Sequence, residues 1–374
     1  MMIYLDYSAT TPMSDQALHI YTKVAQEHFG NPNSLHDFGL ISNEIVSHSR
    51  KIIAQLINGE ERGIYFTSGG SESNFLSLLS LSKAKKGKHI ITTEIEHPSV
   101  LNTFLWLADS GFDVSYLPVN QYGEIEMDVL KNTIREDTIL VSIGHSNAEL
   151  GTLQDIETIG KYLQERNILF HSDCVQSFGK IPIDVQKSHL DCITISGHKI
   201  YGPKGIGACY INPKVRWRPL LENGTHESGF RQGTLNVPAV AAFATATEEI
   251  SKEMNAEAAR LSSLKELFLG LINNDFCVLE GHPNKRLPHH ISLRIKGIEG
   301  QYVMLECNRR GIAISTGSAC KVGQSDPPKS MIATGKTTGE AHEFIRITLG
   351  KHTTEQDIRT TATCLNEIIA AYFS

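Results

Sequence analysis

The chain has 374 residues, of which 40% are hydrophobic and 20% are charged, and its formal net charge is −6 at pH 7. This length exceeds one simple hydrophobic core, so we expect a large unit joined to a smaller one. The acidic balance argues against a nucleic-acid-binding face, and no apolar run reaches the roughly 18 residues of a membrane span. Because the N-terminus lacks a basic stretch followed by an apolar one, we expect a cytoplasmic protein without membrane or nucleic-acid partners.

Seven cysteines, an odd number, are scattered along the chain, and no two of them form a Cys-x-x-Cys pair. They lie at positions 174, 192, 209, 277, 307, 320 and 364. This distribution argues against a disulfide framework and against a tetrathiolate metal site. We therefore expect no bound metal.

Short β-branched runs alternate with longer amphipathic stretches through the middle of the chain. The predicted strands span 63–68, 89–93, 113–119, 138–145, 168–173, 192–196 and 206–211, and the predicted helices span 71–86, 99–110 and 156–166. This alternation is typical of β-α-β units around a mainly parallel sheet. Because both faces of such a sheet are covered, we expect the chemistry at the polar ends of its strands.

A long helical stretch with few breakers follows Pro238 and continues to Asn273. Beyond it the pattern predicts a C-terminal unit of alternating strands and helices. Its strands span 291–295, 312–316 and 344–349, one helix spans 301–310, and a final helix begins at Thr354. The region from Gly317 to Gly339 has little apolar periodicity, so we expect a mobile, functional loop there.

The polar turn after the apolar run 192–196 contains one lysine between glycines. It reads Ser196-Gly197-His198-Lys199-Ile200-Tyr201-Gly202. A free lysine amine has a pKa of about 10.4, and it attacks a carbonyl only when desolvation or a cationic neighbour lowers that pKa. His198 and Lys204 are candidate neighbours. We predict that Lys199 is a reactive amine, against the alternative of a solvated surface lysine.

Two other strand ends carry polar residues that suit a flat, phosphorylated ligand. Gly70 and Ser71 open a helix, so backbone N–H groups and a hydroxyl would face an anion, although an ordinary capped turn is the alternative. Asp173 ends an apolar run, where a carboxylate needs a positive partner such as a protonated ring nitrogen, unless it caps a turn. Gln176 follows three residues later and could bond a substituent of the same ring.

Three further residues are candidates for chemistry. His97 lies before Pro98 at a strand-to-helix turn, where its ring could stack over a flat ligand and exchange protons, or simply start the helix. Cys320 lies at the base of the polar loop, where a thiol is accessible and can ionise, and is the best nucleophile among the seven cysteines. By contrast, we expect four cysteines in apolar elements to pack, namely Cys174, Cys192, Cys209 and Cys364, and Cys307 lies within a helical stretch. Arg346 alternates with apolar residues on a strand, where its guanidinium could hold a substrate carboxylate or form a structural salt bridge.

Together these motifs resemble the cysteine desulfurases of the class V aminotransferase family over nearly the whole chain. The matching stretches are 4–12, 30–34, 66–73, 96–97, 173–176, 196–199, 231–234 and 317–320. The resemblance implies the α/β fold of type I transferases that use pyridoxal 5′-phosphate (PLP), as in aspartate aminotransferase. It implies a large cofactor-binding domain with a seven-stranded, mainly parallel sheet over residues 15–255. A smaller α+β domain would combine residues 1–14 and 256–374 and carry the catalytic loop, about 317–339.

The resemblance also implies a role for each candidate residue. Lys199 would hold the cofactor covalently and move protons, Asp173 would keep its ring nitrogen protonated, His97 would stack on the ring, and Gln176 would bond the ring hydroxyl. The phosphate would be bound by Gly70, Ser71, Ser196 and His198, joined by Thr234 from the second subunit of a homodimer. Arg346 and Asn31 would bind the L-cysteine substrate. Cys320 would take its sulfur as a persulfide, release L-alanine and pass the sulfur to an acceptor protein for iron–sulfur cluster assembly or thiolation.

Three positions depart from the family pattern. Ala148 stands in Asn147-Ala148-Glu149-Leu150-Gly151 where an asparagine that hydrogen-bonds near the cofactor is common, so Asn147, Gln176 or water must compensate, or turnover is weaker. Ser71 replaces a common threonine, and Lys321 could lower the pKa of Cys320. The alternatives are a selenocysteine lyase, a class V transaminase, and a low-activity sulfur-relay or assembly subunit, which only Ala148 supports.

Overall fold

Residues 2–272, 275–317 and 326–374 are described by a computed structural model. The strands are β1 Ile3–Tyr4, β2 Ile64–Thr67, β3 His89–Thr93, β4 Asp113–Leu117, β5 Thr138–Ser142, β6 Leu169–Asp173, β7 Cys192–Ser196, β8 Gly207–Ile211, β9 Cys277–Leu279, β10 His290–Ile295, β11 Ile312–Ala313 and β12 Phe344–Thr348. The helices are α1 Asp15–Glu27, α2 Asp37–Leu56, α3 Gly70–Ser82, α4 Pro98–Asp109, α5 Met127–Thr133, α6 Ile156–Gln164, α7 Val237–Leu271, α8 Gly300–Arg309, α9 Lys329–Ala333, α10 Thr338–His342 and α11 Glu355–Phe373.

A seven-stranded sheet forms the main scaffold, with the order β2-β8-β7-β6-β5-β3-β4. The strands from β7 to β4 pair in parallel, and β8 is antiparallel to both of its neighbours. The predicted mainly parallel sheet is therefore confirmed. The chain places β4 on one side of β3 and β5 on the other, which opens a crevice at the carboxyl ends of these strands.

Two hydrophobic cores flank this arrangement. The first packs helices against the seven-stranded sheet, whose strands β5, β7 and β8 are buried along their whole length. The second surrounds the three-stranded sheet β12-β10-β9 together with α8 and α11. Helix α7 contributes Phe243 to the first core and Phe268 to the second, so it connects the two. Among the described residues, no helix is both long and apolar enough to cross a membrane.

The C-terminal region differs from the prediction in two places. The expected strand 312–316 is only the two-residue β11, because beyond it Ser315 pairs with Arg346 as an isolated bridge. The region expected to be a loop contains α9 and α10 in its described part. Met331 of α9 is fully buried, and Thr337 and Glu340 form a capping box at the start of α10. Tertiary burial and capping therefore stabilise helices that the weak apolar periodicity of this stretch does not reveal.

Candidate active site

A cavity of about 580 Å³ lies at the carboxyl ends of the sheet strands and is closed on one side by the C-terminal unit. The structure brings nine of the predicted site residues into its lining: Gly70, Ser71, His97, Asp173, Gln176, Ser196, His198, Lys199 and Arg346. They come from the ends of β2, β3, β6 and β7 and from β12. The parallel sheet explains this convergence, because strand ends that are distant in sequence meet at one edge.

Lys199 ends a short 3₁₀ turn, Gly197–Lys199, that follows β7 directly. Its Nζ donates to the carbonyl oxygens of Ser8 at 2.5 Å and Ala9 at 2.7 Å. Tyr201, two residues later, has a φ of 66°, and its N–H donates to Thr11 Oγ1 at 2.7 Å. A non-glycine residue at this φ is strained, so the N-terminal segment holds the lysine turn in a conformation that it would not adopt alone.

The N-terminus of α3 and the end of β7 form an anion-binding corner. Helix α3 starts at Gly70, and a Cβ at that position would lie 2.8 Å from Cγ2 of Val175. Glycine therefore lets the backbone N–H groups of the first helical turn face the cavity closely. His198 shares this corner, and burial, followed by the Lys199 and Lys204 charges, lowers its pKa to about 4, so its ring is neutral at pH 7.

Asp173 ends β6, and both of its carboxylate oxygens accept hydrogen bonds. Oδ1 accepts from the backbone N–H of Val175 at 2.9 Å, and Oδ2 accepts from Asn74 Nδ2 at 2.7 Å. Asn74 also donates to Ser99 Oγ at 2.9 Å. These bonds orient the carboxyl group at the end of β6, where it could bind a protonated ring nitrogen. Asn74 is absent from the predicted site, although its position one helical turn after Gly70 places it on the same face of α3.

His97 is the N-cap of α4, and its Nδ1 accepts from the Ser99 N–H at 3.1 Å. Desolvation lowers the pKa of His97, so the ring is neutral and carries its proton on Nε2. The preceding Glu96 was not predicted as a site residue. Its Oε1 accepts from Gly144 N and Thr93 Oγ1, both at 2.9 Å, and burial raises its pKa to about 7. The cavity therefore contains a carboxyl group, Glu96, that titrates near neutral pH beside a neutral imidazole, His97.

Several buried polar atoms around the cavity have no hydrogen-bond partner within the described ranges. They are Ser8 Oγ, Asn74 Oδ1, Ser146 Oγ, Ser196 Oγ and Arg346 Nε, and all five residues line the cavity. Buried polar atoms in native proteins nearly always have partners, so this cluster indicates a polar ligand. An anion-binding corner, a carboxylate suited to a cationic ring nitrogen and a lysine amine fit PLP in particular.

Arg346 of β12 lines the cavity, and its side chain is only 3% exposed. Its Nη2 donates to Asp6 Oδ1 at 2.9 Å, and its Nη1 donates to the backbone oxygen of Ala148 at 3.0 Å. The salt bridge that the sequence left as an alternative is therefore present. It uses only part of the donor set of the guanidinium, so a carboxylate can still bind.

Ala148 lacks the side-chain amide of the asparagine that is common at this position, and the hydrogen bonds of its neighbours show whether they can replace it. Asn147 donates through Nδ2 to the Ile95 carbonyl at 2.8 Å, and its Oδ1 accepts from the N–H groups of Glu149 and Leu150, both at 2.8 Å. Its side chain is therefore committed to the turn. Gln176 Nε2 donates to Ser8 O at 3.1 Å, which leaves Oε1 of Gln176 to face a ligand as an acceptor.

Two of the predicted site residues that the structure describes do not line this cavity. Cys320 lies outside the described residues, as does Lys321. Asn31 and Thr234 are described, exposed, and not among the residues that line the cavity of their own chain. The six other cysteines are buried, which confirms the packing predicted for Cys174, Cys192, Cys209 and Cys364.

Comparison with known proteins identifies the family. The aminotransferase class-V model matches residues 3–360. A putative cysteine desulfurase NifS of Halalkalibacterium halodurans is 49% identical over 370 residues, covering 98% of each chain. The cysteine desulfurase IscS 1 of Archaeoglobus fulgidus is 40% identical and covers 96% of this chain and 94% of its own. The chain therefore belongs to the class V aminotransferase family, and within it to the cysteine desulfurases.

Solved structures agree with this family. A NifS-like protein superposes with a TM-score of 0.92 at 32% identity, covering 99% of this chain and 100% of that chain. A protein named SspA, solved in complex with cysteine, superposes with a TM-score of 0.83 at 32% identity, covering 94% and 100%. The predicted fold, the type I fold of PLP-dependent transferases, is thus confirmed.

Proposed function

We propose that this protein is a PLP-dependent cysteine desulfurase that converts L-cysteine to L-alanine and keeps the sulfur as a persulfide on Cys320. The observation that supports it most is the convergence of Lys199, Asp173 and Arg346 on one cavity whose buried polar atoms lack partners. When bound, the cofactor supplies an electron sink that labilises bonds at the substrate carbons. The names of the curated relatives and the cysteine bound by SspA support the same substrate.

Each cavity residue has a proposed task. Gly70, Ser71, Ser196 and His198 would hold the cofactor phosphate, while Asp173 and Gln176 would hold its ring nitrogen and hydroxyl. Neutral His97 would stack on the ring and donate a proton from Nε2, because its Nδ1 is occupied by the Ser99 N–H. Lys199 would move a proton at the substrate α-carbon, and Arg346 would bind the substrate carboxylate.

The sulfur step balances without any further redox reagent. The thiolate of Cys320 forms an S–S bond with the substrate sulfur, the C–S bond breaks, and the former β-carbon takes up a proton. The products are L-alanine and one enzyme persulfide, which an acceptor protein then consumes. A transaminase would not need Cys320. The experiment is therefore to measure alanine release from L-cysteine by the PLP-loaded protein and by Cys320→Ala. Release from both would show that the sulfur leaves without Cys320, and formation of the keto acid 3-mercaptopyruvate by both in place of alanine would favour a transaminase.

We also propose a homodimer whose active sites use residues from both subunits. Asn31 is exposed, and near it Leu35 is 94% exposed, while the rings of Phe29 and Phe38 stack with their centroids 5.5 Å apart and are mostly exposed. Such an apolar patch is typical of a protein interface. Thr234 is exposed as well, so Asn31 and Thr234 would complete the cavity of the partner.

A mixing experiment tests the shared site. Thr234→Ala and Lys199→Ala homodimers should each have little activity, whereas subunit exchange between them should restore one intact site per mixed dimer. A mixture no more active than its parents would contradict a shared site.

The two-domain division and the cytoplasmic location inferred from the sequence stay predictions.

The low-activity alternative rests on Ala148. Position 148 contacts Arg346 through its backbone oxygen, and this contact does not depend on the side chain at 148. Turnover that Ala148→Asn raises more than tenfold would favour the low-activity alternative. Selectivity between cysteine and selenocysteine is tested by comparing the two substrates directly.

A further inference from the structure

The turn formed by residues 147–151 is held by side chains of the C-terminal unit. His290 Nε2 lies 3.0 Å from the oxygen of Ala148, Ser292 Oγ donates to the oxygen of Glu149 at 2.7 Å, and Arg286 Nη2 donates to the oxygen of Leu150 at 3.0 Å. Three consecutive carbonyls are thus bound by β10 and the segment before it. The cavity wall formed by this turn is therefore fixed from outside the seven-stranded sheet.

The oxygen of Ala148 is the one member of this set that also contacts a residue of the proposed substrate site. It accepts from His290 Nε2 and from Arg346 Nη1, both at 3.0 Å. A carbonyl oxygen has two lone pairs, so these two donors saturate it. As a result, the position of the His290 ring constrains the carbonyl, and the carbonyl constrains the guanidinium.

The His290 ring itself has little freedom. The residue is fully buried, and a Cβ on Gly151 would lie 2.6 Å from Cγ of His290, so the ring packs directly against the turn. Burial, followed by the charges of His289, Arg286 and Arg346, lowers the pKa of His290 well below its usual value. A neutral imidazole has one N–H, and a carbonyl can only accept, so the proton lies on Nε2.

We propose that His290 is a positioning residue which, through the Ala148 carbonyl, fixes the Arg346 guanidinium in the orientation that binds the substrate carboxylate. This rests on the proposed function, because Arg346 is assigned there to the carboxylate. Two anchors, Asp6 and the Ala148 oxygen, hold Nη2 and Nη1. Without His290 the Ala148 carbonyl can change its orientation, and the hydrogen bond that holds Nη1 of Arg346 weakens. His290 contacts neither substrate nor cofactor in this scheme.

Steady-state kinetics of the PLP-loaded enzyme test the proposal. His290→Ala should raise KM for L-cysteine roughly 3- to 10-fold, the worth of one ordinary hydrogen bond, and leave kcat within about twofold. The inhibition constant of L-alanine should rise by the same factor. That of ethylamine, which has an amine but no carboxylate, should not change. His290→Gln, whose amide N–H reaches the place of Nε2, should restore KM, whereas the shorter His290→Asn should not.

His289→Ala is the matched control. His289 is buried next to His290, and no hydrogen bond joins its ring to the 147–151 turn in the described part of the chain. The proposal would be overturned if His289→Ala raised KM as much as His290→Ala does. It would also be overturned if His290→Ala weakened ethylamine binding as much as L-alanine binding, because either result would show a general effect on packing. An unchanged KM in folded His290→Ala would also overturn it.

Two further comparisons cover the cases in which His290→Ala does not fold or the wild-type enzyme is inactive. If His290→Ala does not fold, the difference between His290→Gln and His290→Asn decides: equal KM values overturn the proposal. If the wild-type enzyme does not desulfurate cysteine, the proposed function fails by itself. The dissociation constants of L-alanine and ethylamine, measured from the cofactor absorbance, then still show whether His290 acts on carboxylate binding alone.

Discussion

Removal of the charge of Asp6 should destabilise the protein and weaken substrate binding together. Asp6 accepts from Arg346 at 2.9 Å, and the Arg346 side chain is 3% exposed while that of Asp6 is 19% exposed. Asp6→Asn keeps the accepting oxygen and nearly the same volume. The substitution therefore leaves a buried guanidinium without its counter-charge and changes little else.

The magnitude follows from Coulomb attraction and burial. Charge centres about 4 Å apart attract by about 4 kcal/mol at an effective dielectric constant of 20. Removal of one partner of a buried pair typically costs about 3–5 kcal/mol. Because Asp6 is partly exposed, we expect the free energy of unfolding of Asp6→Asn to fall by about 2–4 kcal/mol.

Urea unfolding of the cofactor-free protein measures this change, and a double-mutant cycle with Arg346→Met isolates the pair. Asp109→Asn is the control: it removes the same charge from an exposed position and should cost less than about 0.5 kcal/mol. A loss below about 1 kcal/mol for Asp6→Asn, or a coupling energy near zero in the cycle, would refute the reasoning. KM for L-cysteine should rise in Asp6→Asn for the same reason.

Three further predictions concern the cavity. Burial raises the pKa of Glu96 to about 7, above the ordinary value of 4.5, so the stability that its protonated form contributes is complete below about pH 4.5 and lost as the pH rises through 7. Glu96→Gln should therefore stabilise the cofactor-free protein at pH 8 by up to about 3 kcal/mol and much less at pH 5, as thermal melts at the two pH values will show. Gly70→Ala places a methyl group 2.8 Å from Val175 Cγ2, so the backbone at the start of α3 must shift. PLP binding in an absorbance titration should weaken at least tenfold, and an unchanged affinity would contradict the close approach of this backbone to the ligand. Asn74→Ala removes the 2.7 Å hydrogen bond to Asp173 and should weaken PLP binding about tenfold. Asn74→Asp should weaken it more, because two carboxylates then face each other. The reverse order of the two variants would exclude a role of Asn74 in orienting Asp173.

The sequence predicts most of the sheet because strands such as β5, β7 and β8 are buried along their whole length and therefore read as nearly continuous apolar runs. The bounds of β3 and β7 match the predicted 89–93 and 192–196. Helices α1 and α2 were not predicted, although Ser14 caps α1 by accepting from the Ala17 N–H. That cap is a local signal which could have revealed the helix.

The candidate site was predictable where a residue follows a strand, as Lys199 and Asp173 do. Asn74 and Glu96 were missed because their importance depends on tertiary neighbours: Asn74 donates to Asp173, and Glu96 accepts from the Gly144 N–H. The contact of Arg346 with a backbone oxygen was also beyond sequence reasoning, since no side chain identity encodes it. Residue types at strand ends thus predict the chemistry of the site. The hydrogen bonds that orient these residues can be identified only from the three-dimensional structure.

The most direct test of the account is to incubate the PLP-loaded protein with L-cysteine without reductant and to measure alanine together with the mass of the protein. The account predicts one alanine per active site and a mass increase of one sulfur atom on the peptide that contains Cys320, with neither product in Cys320→Ala. Alanine formed equally by Cys320→Ala, or no alanine from a protein that binds PLP, would contradict it.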